Sequence, residues 1–555
     1  MSLKFIAISG TTDVTQNLYV YEYGNDMIIV DCGVGFPEAD MYGVDLVIPD
    51  FTYIRQNAQK LKGVLITHGH EDHLGALPFL LKDLPAGKAG FKVPIYSTKL
   101  VAGFIEDKFA DYGLKDGVKV FDPERDTISL GVFNVTPFRT SHSVPDGVGF
   151  AIDTPEGRVF HIPDYKFDWT PVDGRPFDIA KLSLLASGGA LMLASDALGS
   201  TNPGYTESER DIEKRVEVIA RRARGRIFFT TISSNISRMQ QAINVAQRLG
   251  RKVSLVGRSI DSKMNIAKNL GYANFSGSTV VPIKKAAHLP REKVMFIISG
   301  SYGQPGSALS RVSLGEHDFL DAQKGDVIIF SSDPAPPGTK ASIDAVVDRF
   351  IEKDVEVHYY DIQEDLHVSG HGSQEDIKML MSVVKPKYLI PIGGTVRHMR
   401  AYRDIAMSLG HKQEAVFELL AGEVVDFKSG SAKKAGQVES KTILVDGLGV
   451  GDVGHHVLRD RKRLSQDGVA IVLLQIDKAG KRLINSPEVI SRGFVFEKEK
   501  RGLLETASTN LFKEISAKRN LDKTSAMIAT VDFLEKFFWK EIGRRPMILP
   551  VVVEV

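Results

Sequence analysis

The feature that most constrains this chain is THGHEDH at residues 67–73, set in LKGVLITHGHEDHLGALPFLLKDL. Apolar Val64, Leu65 and Ile66 lead into it, and apolar residues at helical spacing run from Leu74 to Leu84, so it is a loop between a buried strand and a helix. His68, His70, Asp72 and His73 place four nitrogen or oxygen donors within six residues. Imidazoles and carboxylates suit zinc or manganese, and no thiolate is present to build a structural zinc cage. Alternation along the loop aims His68 and His70 at one ion. Asp72 and His73, beyond the bend, reach a second about 3.5–4 Å away, the separation used in two-metal phosphoryl chemistry. A lone loop histidine is unremarkable, whereas HxHxDH directly after an apolar strand is a specific signal.

Length and charge bound what surrounds this loop. At 555 residues the chain holds about three or four domain-sized units. A net charge of +1 excludes a global cationic field, so any nucleic-acid contact must come from local patches. Two basic runs qualify: Arg221, Arg222, Arg224 and Arg226, and Arg459, Arg461, Lys462 and Arg463. Each reads as a solvated face or as cationic guidance for a polyanion. The single cysteine, Cys32, excludes an intrachain disulfide framework and fits a reducing cytoplasm. MSLKFIAISG lacks a long apolar core with a cleavage site, and no run approaches 18 apolar residues, so no signal peptide or membrane span is expected.

The rest of the chain supplies further donors at strand ends. Asp31 follows the apolar strand MIIV and reads as a carboxylate orienting a ligand. His142 lies in the loop SHSVPDG, and Asp164 ends the strand VFHI. Loops at one sheet edge are where an αββα sandwich gathers distant ligands. From Asp196 onward, helices alternate with buried strands as in an inserted α/β domain with its own parallel sheet. There, IFFTTISSN precedes an amphipathic helix, so Ser233, Ser234 and Asn235 form either a phosphate site or an ordinary N-cap. His367, Val368, Ser369, Gly370 and His371 form a loop before a helix whose Ser373 and Asp376 are spaced as a capping box. SGSAKKAGQVES reads as a polar turn or linker, and a small α+β unit ends the chain.

In that order Asp31, His68-x-His70-x-Asp72-His73, His142 and Asp164 resemble the metallo-β-lactamase superfamily. The resemblance implies a first metal held by His68, His70, His142 and Asp164, with Asp164 bridging to a second held also by Asp72 and His73. Asp196 opens the insertion as in the superfamily's nucleic-acid-processing β-CASP branch, and His371 matches its histidine beside the metals. Continued through LVDGLGVGDVGHHVLRDR, the pattern resembles the bacterial ribonuclease J family over essentially the whole chain. The fold implied is α/β: a metallo-β-lactamase αββα sandwich (1–208 and 373–450), an inserted β-CASP α/β domain (209–372), a linker (451–464) and a C-terminal α+β domain (465–555).

The activity implied is metal-dependent RNA cleavage, 5′-to-3′ from a 5′-monophosphate end and also internal, in mRNA decay and rRNA maturation. Zinc is the expected metal, with manganese or magnesium as alternatives. Catalytic parts fall to Asp72, Asp196 and His371, the last stabilising the transition state or protonating the leaving 3′ oxygen. Ser233 to Asn235 and His367 to His371 are implied to line the path of the terminal nucleotides. Gly43, Asp45 and Asp446 match positions where members of the family bind a structural calcium. A cytoplasmic homodimer or homotetramer, acting within an RNA-decay complex and away from membranes, completes the expectation. In one place the chain departs from the family: where it has a histidine in Pro-x-His-Gly-Glu, this sequence reads Pro391-Ile392-Gly393-Gly394-Thr395, with His398 five residues on. A DNA nuclease or small-ester hydrolase of the same fold, or a catalytically weak scaffold subunit, are the alternatives.

Overall fold

A computed structural model of the chain describes residues 1–38, 40–84, 93–115, 117–332, 339–360, 366–447, 449–477, 482–494, 501–518 and 521–555. By contact it divides into two units, one of residues 1–36 and 47–443, the other of residues 37–46 and 444–555.

The first unit is built on two mixed sheets facing each other. The eight-stranded sheet runs Ser431–Gln437, Glu423–Lys428, Leu3–Ser9, Leu18–Tyr23, Asp26–Val30, Leu61–Leu65, Ile95–Ser97 and Val118–Val120. The six-stranded sheet runs Pro386–Ile392, Ala190–Asp196, Gly157–Ile162, Val148–Thr154, Phe133–Arg139 and Ile128–Leu130. Alternate residues of both turn inward, and Phe5, Tyr21, Ile28 and Leu65 of one meet Phe133, Phe150, Met192 and Ile390 of the other. Each such side chain contributes about 1.5–3 kcal/mol by leaving water. The far face of the six-stranded sheet is covered by helices, with Leu182, Leu380, Met381 and Tyr402 in its core.

Chain order explains the insertion. Ala190–Asp196 pairs in parallel with Pro386–Ile392, although about 190 residues separate them, and Glu423–Lys428 pairs with Leu3–Ser9. The sandwich is therefore closed by segments that follow the inserted part. Between them lies an all-parallel sheet, Lys252–Val256, Val294–Ile298, Ile227–Thr230, Val327–Phe330 and Glu356–His358. Strands such as VMFII and IFFT are buried throughout because helices cover both faces of a parallel sheet.

The second unit centres on Val469–Asp477, where Ala470, Val472, Leu474 and Ile476 alternate inward. It pairs with Met547–Glu554 in parallel and Glu488–Arg492 antiparallel, and helices Arg501–Ser516 and Lys523–Ile542 add Leu511, Leu534 and Phe538 to its core.

Several local expectations are revised. The helix expected from Leu74 to Leu84 is two short ones, Glu71–Leu74 and Leu77–Asp83. SGSAKKAGQVES contributes an exposed edge strand, Ser431–Gln437, rather than a turn. Residues 444–450, expected in the sandwich, cluster with the C-terminal unit, and most of the expected linker 451–464 is the helix His455–Asp467. Among the described residues no helix is long and apolar enough to cross a membrane.

Candidate metal centre and substrate cavity

Five strands of the sandwich converge on the site, four of them delivering donors. Leu61–Leu65 leads to the His68–His73 loop, Phe133–Arg139 to His142, Gly157–Ile162 to Asp164, Ala190–Asp196 ends on Asp196, and Pro386–Ile392 leads to Gly393. Three groups of donor atoms converge, each within 4.8 Å: His68, His70, His142 and Asp164; Asp72, His73 and Asp164; and Asp164, Asp196 and His371. Asp164 belongs to all three. His68 Nε2 and His142 Nε2 lie 3.6 and 3.5 Å from Asp164 Oδ2, and His73 Nε2 lies 3.4 Å from Asp164 Oδ1.

Hydrogen bonds behind the rings fix which nitrogen faces inward. His142 Nδ1 donates to the Gly370 carbonyl at 2.7 Å, which leaves Nε2 as a lone pair. His73 Nδ1 faces Asp31 Oδ2 at 2.8 Å. Thr67 Oγ1 donates to that same carboxylate at 2.8 Å and lies 3.0 Å from His68 Nδ1, so Asp31 orients two imidazoles at once. Asp31 is fully buried at φ 61°, a left-handed conformation that aspartate tolerates better than most residues.

Burial pushes the His68 and His70 imidazoles well below their ordinary pKa and His142 to about 3, so all three present neutral nitrogens. At Asp72 burial outweighs the nearby His73 and raises the carboxyl to about 6. His73 and His371 go the other way. Burial opposes their charge, but Asp164 and Asp72 hold His73 well above its ordinary range, and Asp196 and Asp164 bring His371 up to about 9. Burial alone would raise Asp164, yet His73 and His371 hold it well below the carboxylate range. A cluster of carboxylates that draws protons onto its histidines is one a divalent cation would satisfy, and the nitrogen and oxygen donors fit zinc or manganese.

Gly393 stands beside these groups, because Ile392 pairs with Asp196 and the chain turns immediately after. Its φ is +69°, and a β-carbon there would lie 3.5 Å from Asp196 Oδ1 and 3.9 Å from Asp164 Oδ1. A side chain at this position would point into the site; glycine supplies none. His398 does not substitute, since its Nδ1 accepts from the Thr395 amide at 3.1 Å in the capping box of the helix Val396–Ser408.

From the donor groups a cavity of about 400 Å³ extends to the C-terminal ends of the parallel strands. His70, Asp72, His142, Asp164 and His371 line one part, and Ser233, Ser234, Asn235, Ser301 and Ser332 another. Ligands of parallel α/β sheets gather at these strand ends. Asn235 also caps the helix Ile236–Arg248, accepting from the Arg238 amide at 3.0 Å, so the cap and the cavity wall are one residue. His367, Ser369 and Gly370 line the cavity with His371, whereas Val368 is buried behind it.

Other contributors leave little trace in the sequence. Buried Arg238 donates to Glu209 at 2.7 Å, to the Ser331 carbonyl at 3.0 Å and to His367 Nδ1 at 3.1 Å. Buried Lys166 lies 3.6 Å from Glu209 and donates to the Ser369 carbonyl at 3.0 Å, so this charged pair of contacts braces the loop holding His371. Half-buried Glu71 is held at about 2 by Lys263 of the inserted domain at 3.2 Å and Lys108 at 2.6 Å. The one available signal was a cation on an otherwise apolar helix face, as at Arg238.

At Gly43, Asp45 and Asp446, expected to hold calcium, the structure shows a guanidinium rather than an open oxygen cage. Arg461 pairs with Asp446 and donates to the Tyr42 carbonyl at 3.0 Å, and Asp45 accepts from the Gly447 amide at 2.8 Å. A fixed side-chain cation already answers the charge there. Members of the basic runs are likewise engaged locally: Arg221 pairs with Glu217, Arg463 with Glu535, and Arg226 donates to backbone carbonyls.

Four family models match: the beta-lactamase superfamily domain over residues 27–190, the ribonuclease J beta-CASP domain over 224–350, the Zn-dependent metallo-hydrolase RNA specificity domain over 355–415, and the ribonuclease J C-terminal domain over 456–555. Ribonuclease J2 of Bacillus subtilis (strain 168) is 35% identical over 558 residues, covering 100% of this chain and 99% of that protein. The chain belongs to the ribonuclease J family. Ribonuclease J 1 of Streptococcus pyogenes is 36% identical, covering 99% of this chain and 97% of that one. A protein of unknown function from Enterococcus faecalis V583 shares the fold, with a TM-score of 0.53 at 14% identity over 77% of this chain and 100% of that structure. As a ribonuclease J family member, the protein is a hydrolase of RNA phosphodiester bonds that uses divalent metal.

Proposed function

We propose that this ribonuclease J family member degrades RNA from the 5′ end, prefers a 5′ monophosphate, and also cuts internally. The observation that carries the reading is the cavity joining the three donor groups to the hydroxyl- and amide-rich strand ends at Ser233, Ser234 and Asn235. His68, His70, His142 and Asp164 would hold one ion, and Asp72, His73 and Asp164 a second, with zinc favoured by the mixed imidazole and carboxylate set. When bound, such ions supply Lewis acidity, which activates water as a nucleophile and offsets phosphate charge. Asp196 accepts from His371 Nδ1 at 2.7 Å, which turns the opposite ring nitrogen toward Asp164, 3.9 Å away. Charged His371 is thereby oriented to stabilise developing negative charge or to protonate the leaving 3′ oxygen. Asp72 would hold the second ion together with His73 and Asp164. Ser233, Ser234 and Asn235 receive the terminal phosphate, and His367, Ser369 and Gly370 border the path of the next nucleotides. The scaffold reading draws on Gly393 alone, and the three donor groups that share Asp164 count against it. A cytoplasmic oligomer, dimeric or tetrameric, acting in an RNA-decay complex on mRNA and rRNA precursors is the cellular setting we propose.

The test compares one labelled sequence as RNA with a 5′ monophosphate, triphosphate or hydroxyl, and as DNA. Faster release of terminal nucleotides from the monophosphate RNA is expected. Equal rates on all three ends would reduce Ser233 to Asn235 to a helix cap, and equal cleavage of DNA would overturn the choice of substrate.

A further inference from the structure

Phe36 is an exposed phenyl ring on the wall of the cavity that holds the donor groups. Its side chain is 47% exposed, and it lines the cavity together with His70, Glu71 and Asp72. Trp169, Tyr205, Phe319 and Trp539 are also exposed, but none of them lines that cavity. The backbone leading to Phe36 is tied to the donor loop: the Cys32 amide donates to the His73 carbonyl at 2.7 Å, and the Val34 amide to the Glu71 carbonyl at 3.0 Å. Gly35 then exchanges two backbone hydrogen bonds with Val47, at 2.8 and 3.1 Å. A β-carbon at Gly35 would meet side-chain atoms of Gln16, Val47 and Thr15 at 2.7, 2.7 and 2.8 Å, so the chain is close-packed there. The ring is therefore carried on firmly held backbone, on the same wall as Asp72.

A single exposed aromatic is ordinary on a protein surface; one fixed inside a cavity that takes RNA is not. Single-stranded RNA presents a flat π surface on every nucleotide, and proteins that bind it stack its bases on aromatic side chains. Such contact accepts any base, because every base has a π face, as an enzyme that removes successive nucleotides requires. The register follows from the two walls. The terminal phosphate falls to Ser233 to Asn235 of the inserted domain and the scissile phosphate to the donor groups, so the first base lies between those points. Phe36 belongs to the sandwich and is tied through Cys32 and Val34 to the loop bearing Asp72 and His73. That places the ring with the RNA beyond the scissile phosphate.

We propose that Phe36 stacks on a base on the 3′ side of the scissile bond, that of the second or third nucleotide, and so fixes how the RNA lies across the donor groups. The proposal rests on the 5′-end reading above. The experiment uses full-length protein with Mn²⁺ and 5′-monophosphorylated RNA, either intact or lacking one base at the first, second or third nucleotide. In Phe36→Ala, kcat/KM for release of the terminal nucleotide from intact RNA should fall about 5- to 100-fold. Phe36→Tyr keeps the ring and should stay near wild type. Removing the second or third base should lower wild type by a similar factor and make it equal to Phe36→Ala, because the stacking partner is already gone. No loss in Phe36→Ala, the same loss on all four RNAs, or coupling to the first base alone overturns the proposal. Affinity of the chelator-treated proteins for the same RNAs, read by fluorescence anisotropy, measures the coupling without cleavage. Coupling seen there in a protein that shows no 5′-end preference would sink the 5′-end reading while upholding the role of the ring. Where Phe36→Ala does not fold, Phe36→Leu, apolar but without a ring, carries the same comparison.

Discussion

Replacing Gly393 by histidine should tighten the second ion about tenfold, and the structure lets the gain be separated from the strain. At φ +69° a residue with a β-carbon loses about 1–2 kcal/mol. The backbone cannot relax freely, because the Gly393 amide donates to the Gly10 carbonyl at 2.7 Å. No steric term adds to this, since the nearest atoms to a β-carbon are Asp196 Oδ1 at 3.5 Å and Asp164 Oδ1 at 3.9 Å. Gly393→Ala isolates the strain: metal-free protein should lose about 1–2 kcal/mol in urea unfolding, with metal affinity unchanged. Gly393→His carries the same strain in both its metal-free and loaded forms, so the strain cancels from the binding equilibrium. What remains is an added imidazole ligand, and a tenfold tighter ion corresponds to about 1.4 kcal/mol. Zn²⁺ titration of the three stripped proteins, with bound metal counted at each step, reads the effect. A second ion no tighter in Gly393→His than in Gly393→Ala would refute the reasoning that this position faces an open side of the site.

Two further outcomes follow from buried titrating groups. Asp196→Asn removes the carboxylate that, with Asp164, brings His371 up to about 9; turnover on RNA should fall about 10²- to 10⁴-fold with KM little altered, and steady-state kinetics showing an unchanged kcat would dismiss the pair. Burial holds His161 at about 3 against about 6.5 in the unfolded chain. The unfolded chain thus takes up the proton first, and stability present above pH 6.5 is lost as pH falls toward 3. At pH 5 this group accounts for about 2 kcal/mol, so in stripped protein His161→Met should shrink the loss in urea stability between pH 7 and pH 5 by that amount; an unchanged loss would show that other groups govern it.

The parts of the site that could be read in advance are those whose chemistry is concentrated in sequence. HxHxDH after an apolar run announces a metal loop by itself, and Asp31, His142 and Asp164 become intelligible once strand-end loops are taken to share a sheet edge. Ser373 and Asp376 form the expected capping box because that signal is wholly local. Long-range partners are a different matter. Asn17 reaches Asp72 and His73 across 55 and 56 residues, and Arg238 reaches His367 across 129, with nothing in either neighbourhood to name the partner. Ser431–Gln437 looked like a linker because it is polar, but an exposed edge strand paired on one side only needs no apolar face. His455–Asp467 carries charge on nearly every turn, which hid a helix whose solvated surface is most of its circumference.

RNA cleavage with metal held by the His68–His73 loop is what this ribonuclease J family member is proposed to perform. Its most direct test is the cleavage rate of 5′-monophosphorylated RNA by wild type and by His70→Ala, with bound metal counted in both. His70 lies within 4.8 Å of three other donors of the first group, so loss of metal from that group and a fall in rate by orders of magnitude are expected. Undiminished cleavage by His70→Ala, with or without bound metal, would contradict it.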